Sequence, residues 1–293
     1  MKQKIYMFAR RIVPKRALQT AVRVYERVHN SLKYGDPHFF REVSLEINAE
    51  CNRRCYYCPQ NVHPLDAALM SEAIFEKALE RLKEIRWGGP IGYAHFNEPL
   101  LRKDIVRLVR RTKEVLPHSL PRLYTNGDFL TETLTAELVE AGLVNFAVTR
   151  HDLTERRWKE HIVPIAEKFP QHFSLEVIHG KALSNRGGLV TNPKVLIGKM
   201  TDCANPEAAL HISHKGNVLL CCCDYFGQNI QGNIMEESLK TIWKHYADER
   251  KSLREGQPIR PICKACFGQK TEGHVLPARP SPVLLGQNDP SRG

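Results

Sequence analysis

The sequence predicts an α/β fold, a parallel-stranded βα barrel followed by a smaller, cysteine-rich domain. Three observations predict it. From Arg41 to about Val190, short β-rich runs alternate with runs of helical spacing, the pattern of βα units with right-handed crossovers. The chain has 293 residues, enough for one barrel and an appendage. After Pro193 the rhythm changes, and residues 203–270 hold six of the nine cysteines.

Strands are expected at 43–48, 91–96, 121–125, 144–149 and 173–178. Helices are expected at 71–86, 100–115, 131–141 and 154–168, with start signals at Ser71, Asp104 and Thr131. In such sheets ligands gather beyond the carboxyl ends of the strands. The chemically unusual residues fall there. Cys51 to Cys58 follow the first strand, Asn97 to Pro99 the second, Asn126 to Asp128 the third, and Arg150 to Asp152 the fourth.

Apolar residues make up 42% and charged residues 26%, a globular composition that excludes a disordered or fibrous chain. No apolar run is long enough to span a membrane, and the N-terminus lacks an apolar segment ending in a small-residue cleavage site. Nine cysteines in such a chain point to metal ligation or thiol chemistry in a reducing compartment, the cytoplasm, rather than to a disulfide framework. The net charge of +11 is concentrated: residues 1–34 hold nine Lys or Arg against one acid, Glu26, a local net of +8. Charge gathered in a leader is not the footprint of a nucleic-acid face, and no nucleic-acid partner is expected. Within that leader Ile5, Phe8, Ile12, Leu18, Val22 and Val24 form an imperfect helical stripe broken near Pro14. The stripe reads as a helix packed on the barrel with a solvated basic face, or as a weak membrane-surface contact.

The first cysteine cluster reads Cys51-Asn-Arg-Arg-Cys55-Tyr-Tyr-Cys58. A loop can wrap three such thiolates around one metal centre. Four cysteines would close off a [4Fe–4S] cluster; three leave one iron open to a cofactor or substrate. A zinc site completed by His63 is the alternative, though zinc knuckles favour paired CxxC spacing.

CxxxCxxC after the first strand, FNEPL at 96–100 and TNG at 125–127 together resemble the radical S-adenosylmethionine enzymes. The resemblance covers roughly residues 40–195. It implies a partial (β/α)6 TIM-like barrel and a [4Fe–4S] cluster held by Cys51, Cys55 and Cys58. It also implies that S-adenosylmethionine chelates the fourth iron and is cleaved to a 5′-deoxyadenosyl radical. Glu98 matches the family's acidic residue beside the methionine ammonium, where a carboxylate suits a cation. Asn97 stands where the family usually has Gly. Tyr57 matches an aromatic position by the adenine, Thr149 a hydroxyl near the ribose, and Arg186 an arginine near the carboxylate. Phe96 and Asn126, in the same motifs, join the expected cofactor-binding set.

The second cysteine set is Cys203, Cys221, Cys222, Cys223, Cys263 and Cys266. With Gly216-Asn-Val-Leu-Leu-Cys221, Gly232-Asn-Ile and Trp243, it resembles the shortened SPASM (Twitch) auxiliary-cluster domain of radical dehydrogenases acting on aminocyclitols. The resemblance implies a second [4Fe–4S] cluster ligated by Cys203, Cys221, Cys263 and Cys266. Cys222 and Cys223 are then spare; Cys222 could replace Cys221 as a ligand, and a spare thiol could donate hydrogen in an epimerase. The expected organisation is a basic leader at 1–37, a core at 38–198, the auxiliary domain at 199–270 and a flexible tail at 271–293.

The leading expectation is oxidation of a sugar- or aminocyclitol-type small molecule, with the auxiliary cluster accepting an electron and a flavodoxin- or ferredoxin-type reductant supplying the first. Asp152, His151, Arg150 and Asp224 are candidates to bind or deprotonate substrate. Peptide cross-linking or epimerisation, and sugar epimerisation, are the enzyme alternatives. A non-catalytic iron–sulfur or zinc protein is a more distant one.

Overall fold

The computed structural model describes residues 15–151 and 155–269, and among them no helix is long and apolar enough to cross a membrane. The chain divides into two units, residues 1–40 and residues 41–293. The first contains helix α1, Lys15–Tyr34, which leaves Val24, Tyr25, Val28 and Leu32 exposed among its basic residues. Gly35, at φ 78°, ends it, and the chain turns back so that Tyr34 stacks on Phe39 at 4.3 Å. The N-terminal half of the expected leader stripe, residues 4–14, lies outside the described residues.

The second unit is built on one eight-stranded sheet. Its strands are β1 Glu42–Leu45, β2 Pro90–Gly92, β3 Leu120–Thr125, β4 Asn145–Arg150, β5 Phe173–Val177, β6 Ala209–Ile212, β7 Asn217–Leu219 and β8 Ile230–Asn233. All five expected strands are present, and they are parallel and adjacent in chain order. The sixth parallel strand joins at the other edge: β6 pairs with β1, giving the order β5-β4-β3-β2-β1-β6-β7-β8. β7 and β8 then add in antiparallel fashion, with a turn at Gly216, φ 80°, between β6 and β7. Val43, Leu45, Ile91, Leu123, Phe146, Val148 and Leu210 are wholly buried along the parallel strands, as strands covered on both faces require.

Crossover helices follow in step: α2 Glu72–Glu84, α3 Ile105–Val115, α4 Glu132–Glu140 and α5 Val163–Lys168. Ser71 and Thr131 cap α2 and α4 as expected, accepting from the amides of Ile74 and Leu134. Asp104 does not cap α3. Its carboxylate is taken by Arg102 at 2.8 Å and Arg107 at 2.7 Å, and residues 99–101 form a separate 3₁₀ turn. A π turn, Trp158–Ile162, precedes α5 because Pro164 lacks the amide that would continue the α ladder. The C-terminal segment adds α6 Asn205–Ala208, α7 Leu239–His245, α8 Ala247–Arg254 and α9 Pro261–Cys266. Arg250 lies 3.7 Å over Trp243 and donates to its carbonyl at 2.6 Å, which locks α7 to α8.

Strands β1 and β2 are shorter than their alternating sequence suggests. Beyond them the Glu46 amide still donates to the Ile212 carbonyl at 2.9 Å, while the side chains of Glu46 and Asn48 after β1 engage those of His95 and Asn97 after β2. Arg102 fixes these two strand ends together. It is buried and donates to the carbonyls of Ile47 at 2.6 Å and Met70 at 2.8 Å. Replacing Arg102 with Leu takes the side-chain donor from both carbonyls, leaving that of Ile47 with only the Met70 amide, and should cost about 3 kcal/mol. Urea unfolding should show a lower midpoint with unchanged slope; an unchanged midpoint would remove Arg102 from this role.

Candidate active site

The loop after β1 carries the first cysteines and is tied down on both sides. Arg53 forms a two-pronged ion pair with Asp128, Nε to Oδ2 at 2.7 Å and Nη2 to Oδ1 at 2.6 Å. Asn52 reaches the same carboxylate at 2.7 Å and accepts from Asn126 at 2.9 Å, joining the first loop to the third. Behind the loop, buried Gln60 donates to the carbonyls of Ala49 at 3.0 Å and Phe96 at 2.9 Å. Sequence reading missed Gln60 and the role of Asp128. Gly127 adopts φ 79°, and a Cβ there would meet Ile162 at 2.5 Å, so the TNG turn admits only glycine.

Glu98 is 1% exposed. Its carboxylate accepts from Thr125 Oγ1 at 2.6 Å, the Asn126 amide at 2.8 Å and the Leu100 amide at 3.1 Å. Burial outweighs these donors and pushes its pKa up to about 7. Asn97 turns inward: its oxygen accepts from the His95 amide at 2.6 Å and its nitrogen donates to Asn48 at 2.7 Å. Both ends of that amide are thus committed to the loop's own shape.

The other expected residues lie on the neighbouring loops and strand ends. Tyr57 is buried with Val190 and Val195, and its hydroxyl contacts His151. Thr149 and Arg150 end β4, and with Arg53, Asn126, His151 and Trp158 they line a small cleft. Arg150 is ion-paired to Glu155 at 2.8 Å. Phe96 meets Tyr225 edge to face at 4.7 Å, and the Arg186 guanidinium lies 5.7 Å over its ring. Arg186 sits in the left-handed region at φ 51°, followed by Gly187 and Gly188 at φ 68° and 86°. That turn aims its charge among the Cys58, Cys222 and Cys223 thiols, with Cys222 Sγ 3.9 Å from Nη1. A cavity of about 330 Å³ opens beside Cys58, walled by Tyr56, Asn61, Leu189 and Val190.

The second set of cysteines also converges. Gly187 donates its amide to Cys266 Sγ at 3.2 Å, and Cys223 donates its own to Cys221 Sγ at 3.4 Å. The Cys223 thiol is within hydrogen-bonding reach of those of Cys221, Cys222 and Cys266, and Cys203 and Cys263 lie within its field. Asp224 has no comparable freedom. Its carboxylate holds its own turn together, accepting from the Gln228 and Asn229 amides at 3.0 and 2.8 Å and from the Asn229 side chain at 3.2 Å. The candidate base Asp152 lies outside the described residues.

These residues fit iron–sulfur clusters. All nine cysteines are free. Burial pushes Cys55 and Cys263 up to about 12 and raises Cys51 and Cys58, so the thiols resist ionisation until a cation joins them. Amides aimed at Cys51, Cys221 and Cys266 supply the N–H···S bonds that tune cluster thiolates. Among the described residues, no three His, Cys, Asp or Glu side chains close on one point as ligands of a lone ion would.

Comparison with known proteins agrees. Residues 45–174 match the Radical SAM superfamily, and residues 203–267 match an iron–sulfur cluster-binding domain, SPASM. The S-adenosyl-L-methionine-dependent 2-deoxy-scyllo-inosamine dehydrogenase of Niallia circulans is 32% identical over 232 residues, 78% of this chain and 92% of that protein. The GTP 3′,8-cyclase of Lactiplantibacillus plantarum is 33% identical over 126 residues, 40% of this chain and 36% of the cyclase. Among solved structures, BtrN in complex with AdoMet and 2-DOIA superposes with a TM-score of 0.68 at 32% identity, covering 74% of this chain and 88% of BtrN. Native anSMEcpe with bound AdoMet, at 12% identity and a TM-score of 0.54 over 77% of this chain and 86% of that one, shares the fold.

Because Glu98 titrates near 7 in the folded chain and near 4.5 when unfolded, its neutral form favours folding. That contribution is complete below pH 4.5 and is lost as pH rises through 7. With S-adenosylmethionine absent, the unfolding free energy of Glu98→Gln relative to the original protein should rise by roughly 3 kcal/mol between pH 4.5 and 8. A flat difference across that range would mean Glu98 ionises at its ordinary pH.

Proposed function

The chain belongs to the radical S-adenosylmethionine superfamily, and from that premise we propose that it oxidises a hydroxyl- or amine-bearing carbon of a sugar- or aminocyclitol-type small molecule. It is an oxidoreductase of that family that uses S-adenosylmethionine and two [4Fe–4S] clusters. The observation that carries the substrate class is the 32% identity, over 78% of this chain, to a dehydrogenase of one aminocyclitol. When bound, the cofactors supply a 5′-deoxyadenosyl radical that takes a hydrogen atom from substrate and a second cluster that accepts an electron.

The chain's own residues hold and orient these groups. In our reading Cys51, Cys55 and Cys58 ligate the first cluster. Glu98, ionised, receives the methionine ammonium, and Thr125, Asn126 and Leu100 fix its oxygens. Tyr57 flanks the adenine, Thr149 faces the ribose and Arg186 pairs with the carboxylate. Asn97 acts through the loop it shapes. Cys203, Cys221, Cys263 and Cys266 ligate the second cluster, with Cys222 and Cys223 outside the ligand set. We divide the chain into a leader at 1–37, a core at 38–198, an auxiliary domain at 199–270 and a tail at 271–293. A cytoplasmic site and a flavodoxin- or ferredoxin-type reductant suit oxygen-sensitive clusters. Residues 1–34 carry the charge for a weak membrane-surface contact.

The test is iron content beside product. Reconstituted protein should hold about eight irons, and Cys51→Ala/Cys55→Ala/Cys58→Ala about four, with no 5′-deoxyadenosine formed. Cys263→Ala/Cys266→Ala should also hold about four, yet still form 5′-deoxyadenosine without oxidised 2-deoxy-scyllo-inosamine. Cys221→Ser should lose the second cluster while Cys223→Ser keeps it. Full oxidation by a protein lacking that cluster would reject its electron-acceptor role. Loss of turnover in an iron-replete Cys222 or Cys223 variant would favour epimerisation instead.

A further inference from the structure

Oxidation of a carbinol needs a group to take the hydroxyl proton. Of the expected candidates, Asp224 is held in its turn, Arg150 is ion-paired to Glu155, His151 contacts the Tyr57 hydroxyl, and Asp152 lies outside the described residues. A different cluster stands at the same end of the sheet. Glu46 follows β1, His95 follows β2, His211 lies on β6 and His214 in the β6–β7 turn. Glu46 is buried, with Oε2 accepting from His214 Nδ1 at 2.8 Å and from the His214 amide at 3.1 Å. Its other oxygen lies 3.5 Å from His95 Nδ1.

Two details set His95 apart. Its side chain is only 4% exposed, yet its Nε2 is buried without a hydrogen-bond partner among the described residues. A buried polar atom left open is costly unless something fills the gap. Its position supplies the something. The ring meets Phe96 at 4.6 Å, and Phe96 is the ring beneath Arg186, whose charge reaches Cys58 on one side and Cys222 and Cys223 on the other. His95 is therefore one ring removed from the guanidinium that faces both sets of cysteines.

Building on the proposed oxidation, we infer that His95, oriented by Glu46, is the base that takes the hydroxyl proton of the substrate. A carboxylate at Nδ1 selects the tautomer whose Nε2 lone pair is open, and it stabilises the imidazolium once the proton arrives. The long 3.5 Å separation is expected to tighten on charging, as catalytic hydrogen bonds do. The atoms balance. The substrate C–H hydrogen atom ends in 5′-deoxyadenosine, the O–H proton on His95 Nε2 and the remaining electron on the auxiliary cluster, leaving a carbonyl.

The surrounding charges agree. Burial alone would raise Glu46, but the hydrogen bonds from His214 and His95 bring its pKa down to about 2, so it stays anionic throughout the working range. His211, 5.5 Å from His95, has an open Nδ1 but no carboxylate. Burial first, then the charge of His95, hold it down at about 3, so it remains neutral and adds no second positive charge. Arg186 and Cys223 are the other charged or titratable groups whose fields reach His211. His214, with a side chain 20% exposed on the far oxygen of Glu46, gives the proton a way out to water.

The test uses reconstituted holoprotein with S-adenosylmethionine, reductant and 2-deoxy-scyllo-inosamine. His95→Gln should still form 5′-deoxyadenosine in response to substrate, while ketone per 5′-deoxyadenosine falls at least tenfold. Glu46→Gln should show a smaller fall of the same kind. In parallel, the His95 ring resonances of the resting holoprotein should shift in Glu46→Gln, because the group facing Nδ1 changes from a carboxylate to an amide. Ketone per 5′-deoxyadenosine unchanged in His95→Gln, or an unshifted resonance in Glu46→Gln, would overturn the assignment. So would an equal fall of both products with lost substrate binding, since that is the signature of a wall residue. If His95→Gln loses iron, Glu46→Gln and the resonance decide. If the original protein forms 5′-deoxyadenosine but never a ketone, the proposed oxidation fails, whereas the resonance reports on the pair independently.

Discussion

One buried carboxylate holds the site together. Glu98 lies beyond β2, yet its oxygens are fixed by Thr125 and Asn126 at the end of β3, and its amide donates to Glu50 beyond β1 at 2.9 Å. Three strand ends thus converge on a single side chain. Without a cation the arrangement is unfavourable to the charge, and burial wins over three hydrogen bonds. A ligand ammonium reverses that balance, because a desolvated carboxylate gains more from a charge-assisted partner than an exposed one does. The same burial that weakens the acid makes it selective for a positive group.

The two cysteine sets are arranged about a second charge, that of Arg186. Its guanidinium is held over Phe96 by a left-handed turn that needs Gly187 behind it, since a Cβ there would meet Ile262 at 2.7 Å. Thiolates bound to iron give clusters with net negative charge, and a fixed cation between them lowers the work of placing both in one pocket. The Asn185 side chain donates to Ala265 at 2.8 Å and the Gly187 amide to Cys266. The turn that aims the arginine is therefore braced on the second cysteine set.

How far the sequence was legible follows from the range of the interactions. The five parallel strands and the Cys51–Cys58 loop are local patterns, and they appear where the alternation and spacing put them. Ser71 and Thr131 cap their helices because a cap needs only the amide three residues on. Asp104 failed as a cap because Arg102 and Arg107 compete for it, a contest no local rule decides. Arg53 and Asp128, 75 residues apart, and Gln60, bridging Ala49 and Phe96, were invisible for the same reason. Asp224 looked available beside the cysteines, yet a short polar turn after it consumes its carboxylate. Glu46 and His95 were read as strand residues; the approach of their side chains across two strand ends is a long-range contact that alternation does not show.

The position of β6 explains why a single sheet can serve two cysteine sets. Continued in chain order, a sixth strand would lie beside β5, at the edge farthest from β1. Here residues 178–208 intervene, and β6 pairs with β1 in register from Glu42 opposite Ala209 to Leu45 opposite Ile212. Next to β1 lies the loop of Cys51, Cys55 and Cys58; next to β6, through the β7 hairpin, come Cys221 to Cys223. The edge on which β6 lands thus sets the second cysteines near the first, and it brings His211 and His214 to Glu46. An insertion edge at β5 would have left Glu46 with His95 alone. The chain order that looks irregular in the sheet is what brings both cysteine sets and the histidine cluster to one end of it.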